Sequence, residues 1–106
     1  MGGGRASLRW RIVSRKLEAL YAGKSGKERF PAGVVDAFLY LVGVVDAMGD
    51  VRDLYAMKSL HFERLSGRRE GQSSLRLNKQ YRLIVTVEKD EGGGVLVIHE
   101  IVDYHR

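Results

Sequence analysis

Leu8, Trp10 and Ile12 alternate with Arg9, Arg11 and Val13, the period of two that a half-buried strand imposes on its side chains. At Ser14 the period changes. Ser14 can cap a helix, Leu17, Leu20 and Tyr21 recur at helical spacing, and Gly23 offers a stop, so a short basic helix is predicted. Lys24-Ser25-Gly26-Lys27 reads as a turn, and Pro31, the only proline, suits the first turn of a new helix because its missing N–H would have no partner there. Val34, Val35, Phe38, Leu41, Val42 and Val45 then follow at spacings of three and four, with Asp36, Ala37, Tyr40 and Gly43 off that stripe. This is the helix expected to cover a sheet.

Asp50 opens a further short helical piece through Leu54, Tyr55 and Met57, after which Leu60, Phe62 and Leu65 alternate with His61, Glu63 and Arg64, so a strand is expected to begin near Leu60. Beyond the loop Ser66–Gly71, two alternating runs, Ser73–Leu77 and Tyr81–Val87, flank Asn78-Lys79-Gln80 as a hairpin. Asp90-Glu91-Gly92-Gly93-Gly94 turns the chain into the β-branched run Val95–Val102. Helices grouped before antiparallel strands give an α+β domain with the helices on one face of a small, mainly antiparallel sheet. Residues 1–7, with Gly2, Gly3 and Gly4, lack periodicity and are read as a flexible leader, leaving 8–106 as one domain.

The other face of the sheet is expected to carry the function. In Leu75-Arg76-Leu77 and Tyr81-Arg82-Leu83 a basic side chain sits between two apolar ones, so both arginines should point away from the helices. Charge supports a polyanionic partner. The chain carries 18 Lys and Arg against 13 Asp and Glu, and the excess is concentrated in two blocks. Residues 1–29 hold eight basic groups against Glu18 and Glu28, and residues 58–82 hold seven (Lys58, Arg64, Arg68, Arg69, Arg76, Lys79 and Arg82) against Glu63 and Glu70. Residues 30–57 and 83–106 are each acidic. A basic sheet face can grip a phosphate backbone, although arginines kept for solubility on a solvated face would give the same alternation.

Other classes fall away. Zero cysteines exclude disulfides, thiolate-zinc sites and cysteine nucleophiles, and three scattered histidines give no paired metal-ligand spacing, so neither metal nor cofactor is expected. The stretch from Val34 to Val45 is interrupted by Asp36 and is too short for a bilayer, and no signal-peptide core follows the N-terminus, so a cytoplasmic protein with no membrane partner is expected. Candidate chemistry lies at the end of the chain. Asp103, Tyr104 and His105 are capable of proton transfer, since an imidazole and a phenol both exchange protons, although a terminal Tyr-His is also an ordinary chain end. Arg68 and Arg69 between Gly67 and Gly71 can contact phosphate, without any Walker-type spacing.

The stretch Leu65-Ser66-Gly67-Arg68-Arg69-Glu70-Gly71-Gln72-Ser73-Ser74-Leu75-Arg76-Leu77-Asn78-Lys79-Gln80-Tyr81-Arg82-Leu83 resembles the L-x-G-x-R-x-G-Q-x-S-[IL]-R-[IL]-N-x-Q-[WY]-R-[IL] signature of HigB-type toxins. Glu100-Ile101-Val102-Asp103-Tyr104-His105 resembles the same family's ending. The resemblance covers residues 58–105 well and the helical half only in pattern and length. It implies a RelE-like fold of the RelE/ParE superfamily and the toxin of a type II toxin–antitoxin pair, acting as a ribosome-dependent endoribonuclease on mRNA in the 30S decoding site. It further implies a helix-turn-helix antitoxin, HigA-like, with operator DNA reached only through that antitoxin.

By the same resemblance Asp103, Tyr104 and His105 stand at the family's terminal triplet, Arg82 at its hairpin arginine, and Gln80 at the polar residue linked to reading the mRNA base. Two positions depart. Some members carry His where Glu63 stands and many carry Lys where Ser66 stands, so either Arg64, Arg68 and Arg69 take over phosphate binding or the enzyme works differently or weakly. A metal-free RNase must deprotonate the ribose 2′-OH, stabilise the phosphorane and protonate the leaving 5′-oxygen. Glu63 would be the base, Arg82 with Arg76 or Arg68 the charge stabiliser, His105 or Tyr104 the acid, and Asp103 their orienting group. A non-cleaving RNA-binding module and a topoisomerase-directed toxin of the same fold are the alternatives.

Overall fold

The computed structural model describes residues 8–104, so the expected leader over residues 1–7, and His105 with Arg106, lie outside the described residues. Strand β1 (Arg9–Ile12) opens the fold and leads into α1 (Arg15–Tyr21). Ser14 caps α1 as expected, its Oγ accepting from the Leu17 N–H at 3.2 Å and filling one of the donors a helix start leaves open. A 3-10 turn at Lys27–Arg29 precedes α2 (Ala32–Asp46), with Pro31 at its N-cap. All six residues of the predicted apolar stripe of α2 are buried, among them Phe38 at 0% exposure. Each such side chain stabilises the fold by roughly 1.5–3 kcal/mol relative to exposure. Among the described residues no helix is long and apolar enough to cross a membrane.

After α2 comes α3 (Arg52–Ala56), and then the chain departs from the expected strand. Lys58–Leu60 form a 3-10 turn, His61 takes a left-handed conformation at φ 48°, and β2 covers only Glu63–Arg64. The alternation of Leu60, Phe62 and Leu65 was not a strand signal. Leu60 is buried from the turn and packs in the core, and the left-handed His61 re-aims the chain before pairing begins. A third 3-10 turn at Gly67–Arg69 shapes the loop into β3 (Ser73–Arg76), followed by β4 (Tyr81–Asp90) and β5 (Gly93–Asp103). The last turn is tighter than expected, because Asp90 already pairs with Gly93 and only Glu91 and Gly92 are left to reverse the chain.

The five strands are ordered β1-β5-β4-β3-β2. The last four form the expected antiparallel meander, and β1 lies parallel to β5 with Arg9 opposite Val95 and Ile12 opposite Ile98. Leu75, Leu83, Val85, Leu96 and Ile98 face α2 and join Val35, Phe38, Leu41, Val42 and Val45 in one core. A bulge in β5 sets this arrangement. Ile84 pairs with Glu100 and Val85 with Ile98, so His99 is the extra residue, and Ile98 and Ile101 share the covered face despite their odd spacing. His99 itself is held by Thr86, its Nε2 2.9 Å from Oγ1.

Candidate active-site cleft

Residues directly opposite one another on paired strands project to the same side of a sheet, so the register assigns the open face. One row across it runs from Arg76 on β3 through Arg82 on β4 to Val102 on β5, and the next from Glu63 on β2 through Ser74 and Ile84 to Glu100. The first row is cationic. Arg76 and Arg82 stand directly opposite each other, a pairing that opposes folding unless the charges find other partners. Arg82 finds three: its Nη1 donates to the Asn78 carbonyl at 2.8 Å and to the Tyr81 carbonyl at 3.3 Å, and its guanidinium lies 5.3 Å from the centre of the Tyr104 ring, within cation–π range. Arg76 Nη1 is 3.3 Å from Nε2 of His61. Among the described residues neither arginine forms an ion pair with a carboxylate.

Beside these rows is a cleft of about 200 Å³ lined by Glu63, Arg64, Leu65, Ser66, Arg69 and Tyr104. Two devices build it. Tyr104 is fixed at its backbone, whose N–H donates to the Gln80 carbonyl at 2.6 Å, while the Gln80 amide donates to Asp103 Oδ2 at 3.0 Å, so the hairpin turn and the end of β5 hold each other. The 67–71 loop is anchored by Arg69, whose Nη1 donates to Gln72 Oε1 at 3.1 Å and to Glu100 Oε2 at 3.0 Å. Since Glu100 is on β5, the Arg69 side chain reaches from the loop over β3 and β4. Away from the cleft, Arg9 pairs with Asp90, and the hydrogen bond from Arg9, followed by that from the Gly92 N–H, holds the Asp90 carboxyl below the usual carboxylate range.

Residues 11–105 match the family described as RelE-like toxin of type II toxin-antitoxin system HigB. The chain belongs to the HigB-like toxins. Toxin HigB-1 of Vibrio cholerae serotype O1 is 34% identical to it over 68 residues, covering 64% of this chain and 72% of the relative. Two solved structures share the fold. The YoeB-YefM complex from Staphylococcus aureus gives a TM-score of 0.53 at 21% identity over 95% of this chain and 100% of the other. The YoeB/ParE toxin from Agrobacterium tumefaciens gives 0.52 at 19% identity over 93% and 99%. This HigB-like protein is therefore a toxin of a type II toxin–antitoxin system, with the expected α+β architecture of its family.

Within the HigB-like toxin, Glu63, Arg64, Arg69 and Tyr104 meet in the cleft, with Arg82 under Tyr104 and Arg76 in the next strand. Asp103 and Gln80 stand behind Tyr104, bonded to each other, and do not line the cleft. Arg68 is exposed in the 67–69 turn and also lies off the cleft lining, while His105 is outside the described residues. Among the described residues no three His, Cys, Asp or Glu side chains gather as a metal site would require. Two participants escaped sequence reasoning. Glu100 was noticed only as part of the terminal motif, and nothing local announces that it anchors Arg69, 31 positions away. His61 reaches Arg76 because of its left-handed backbone, which no spacing rule would place there.

Proposed function

We propose that this toxin is a metal-independent, ribosome-dependent endoribonuclease that cuts translated mRNA and thereby arrests translation. The observation that carries the reading is the pair of opposed arginines, Arg76 and Arg82, unpaired with carboxylates among the described residues and adjoining a cleft that holds Glu63 and Tyr104. Such a pair has no carboxylate counter-charge among the described residues and gains one when an anion arrives, and guanidinium groups match phosphate geometry. In the proposed reaction Glu63 takes the proton of the ribose 2′-OH, O2′ attacks the phosphorus, and the bond from phosphorus to O5′ breaks. Arg82, with Arg76, stabilises the charge on the phosphorane oxygens. Tyr104 or His105 gives a proton to O5′, leaving a 2′,3′-cyclic phosphate and a 5′-hydroxyl.

Asp103, through Gln80, fixes the backbone from which Tyr104 projects, and Arg64 and Arg68 take flanking phosphates. The partners proposed are the 30S decoding site, mRNA and a helix-turn-helix antitoxin, HigA-like. The Staphylococcus aureus YoeB-YefM complex supports an antitoxin partner by analogy of fold. Inducible expression of the wild type, Arg82→Ala and His105→Ala in a bacterial host, with primer extension on a translated transcript, tests the reading. Growth arrest with cuts inside the reading frame, lost in both variants, is expected. Arrest without cuts would overturn it in favour of a topoisomerase-directed or non-cleaving toxin.

A further inference from the structure

A second groove adjoins the cleft across the edge strand β2. It encloses about 600 Å³ between α3 and the β2–β3 segment, with Tyr55, Phe62 and Val87 among its walls. Arg64 and Leu65 line both hollows, so the two meet at β2, the edge strand among the described residues. The groove has the parts of a platform for an unpaired base. The Tyr55 ring stands edge-on to Phe62, with centroids 4.8 Å apart at 75°, so Phe62 fixes its orientation while Tyr55 stays 55% exposed. Val87, 37% exposed, offers apolar surface on the strand beneath.

The charges decide what fits. Among the described residues the only charged side chains lining the groove are Arg64 and Glu70. A phosphate inside it would meet the Glu70 carboxylate, whereas a neutral base meets aromatic surface and hydrogen-bond acceptors. Arg64 makes no side-chain hydrogen bond or ion pair among the described residues, and it stands where a strand passing from cleft to groove would place its linking phosphate.

We propose that this groove is a second nucleotide subsite, which stacks an unpaired RNA base flanking the scissile bond on Tyr55 while Arg64 takes the phosphate between the two subsites. The assignment rests on the reading of the cleft as an RNA-cutting site. It adds a determinant of substrate length that lies outside the catalytic residues.

Binding of RNA oligonucleotides to the full chain, followed by fluorescence anisotropy, tests it. The probes are a trinucleotide and a hexanucleotide, both 2′-O-methylated so that the 2′-oxygen cannot attack. Tyr55→Ala is expected to weaken hexanucleotide binding about five- to tenfold, as loss of one base stack would, and to leave trinucleotide binding unchanged. Tyr55→Phe retains the ring and should bind as the wild type does. Val87→Trp, which fills the groove from an exposed strand position, should reproduce the loss with an unchanged melting temperature, separating blocked binding from unfolding. Equal hexanucleotide binding by wild type, Tyr55→Ala and Val87→Trp overturns the proposal, as does a wild type that binds neither probe. Loss of antitoxin binding with RNA binding intact would also overturn it, by making the groove a protein interface. Cleavage on translating ribosomes by the wild type judges the cleft separately, so failure of the subsite and failure of the nuclease reading are distinguishable.

Discussion

On the face turned to α2, strands β3, β4 and β5 present Leu75, Leu83, Val85, Leu96 and Ile98; on the opposite face they present Arg76, Arg82, Ser74 and Glu100. The covered face is stabilised by non-directional burial, and a side chain of similar volume could replace any member at modest cost. The open face works differently. Ile84 and Val97 lie on it and are still buried, although neither belongs to the core cluster formed with α2. The ion pairs of Arg69 with Glu100 and of Arg11 with Glu88 span the neighbouring strands and lay long aliphatic stems across the face. The difference teaches that stability and chemistry are not cleanly divided between the faces. Charged arms on the open side both shield apolar residues and wall the candidate cleft.

Breaking the covered face should have the largest effect. Phe38→Ala removes a ring at 0% exposure and should cost about 3–5 kcal/mol, a large part of a domain's total stability, measured by chemical denaturation. Cleavage per folded molecule should be retained. Arg82→Ala should do the reverse, lowering cleavage on ribosomes by about 100-fold, as removal of a charge-stabilising donor does, while altering stability by about 1 kcal/mol or less. Arg82→Lys keeps the charge but loses the fork, and should recover only part of the rate.

Glu100→Gln sharpens the comparison, because it weakens the tie that holds Arg69 over the sheet. We expect about a tenfold loss of cleavage from a mispositioned cleft wall, with near-normal stability, read by primer extension beside a melting curve. The smallest effect concerns pH. The Asp90 carboxyl is held below its ordinary range chiefly by Arg9, so its stabilisation is present above the unfolded carboxylate value and is lost as pH falls through the lower folded value. The melting temperature of Asp90→Asn should therefore lie slightly below that of the wild type at pH 7, and the gap should close below about pH 4. A gap that persisted in acid would mean that Asp90 acts through something other than its charge.

Features governed by local periodicity could be read from the chain alone. The α2 stripe, the Ser14 cap and the outward arginines of β3 and β4 each depend on spacing within a few residues. The strand expected at Leu60 failed because alternation in a short window also fits a turn whose buried residue happens to fall on the same parity. Register was harder still. The extra residue His99 shifts which of the β5 side chains face the cleft, and the Arg69–Glu100 tie exists only because that shift places Glu100 on the open face opposite Ile84. Of the candidate residues read from the sequence, Glu63, Arg64, Arg69 and Tyr104 line the cleft while Arg68, Gln80 and Asp103 do not, and contacts that hold the lining, such as Arg69–Glu100 and Tyr104–Gln80, join residues far apart in sequence.

The parallel pairing of β1 with β5 bears on how the molecule is born. Among the described residues the first strand finds its strand neighbour in β5, with Arg9 opposite Val95, so a growing chain closes this long loop only after residues 93–103 have been made. Until β5 arrives, β1 has no edge to join, β4 lacks one of its two neighbours, and Tyr104 has not yet been made. Sheet closure and cleft assembly are thereby one event, since the strand that completes the sheet also leads into the tyrosine that lines the cleft.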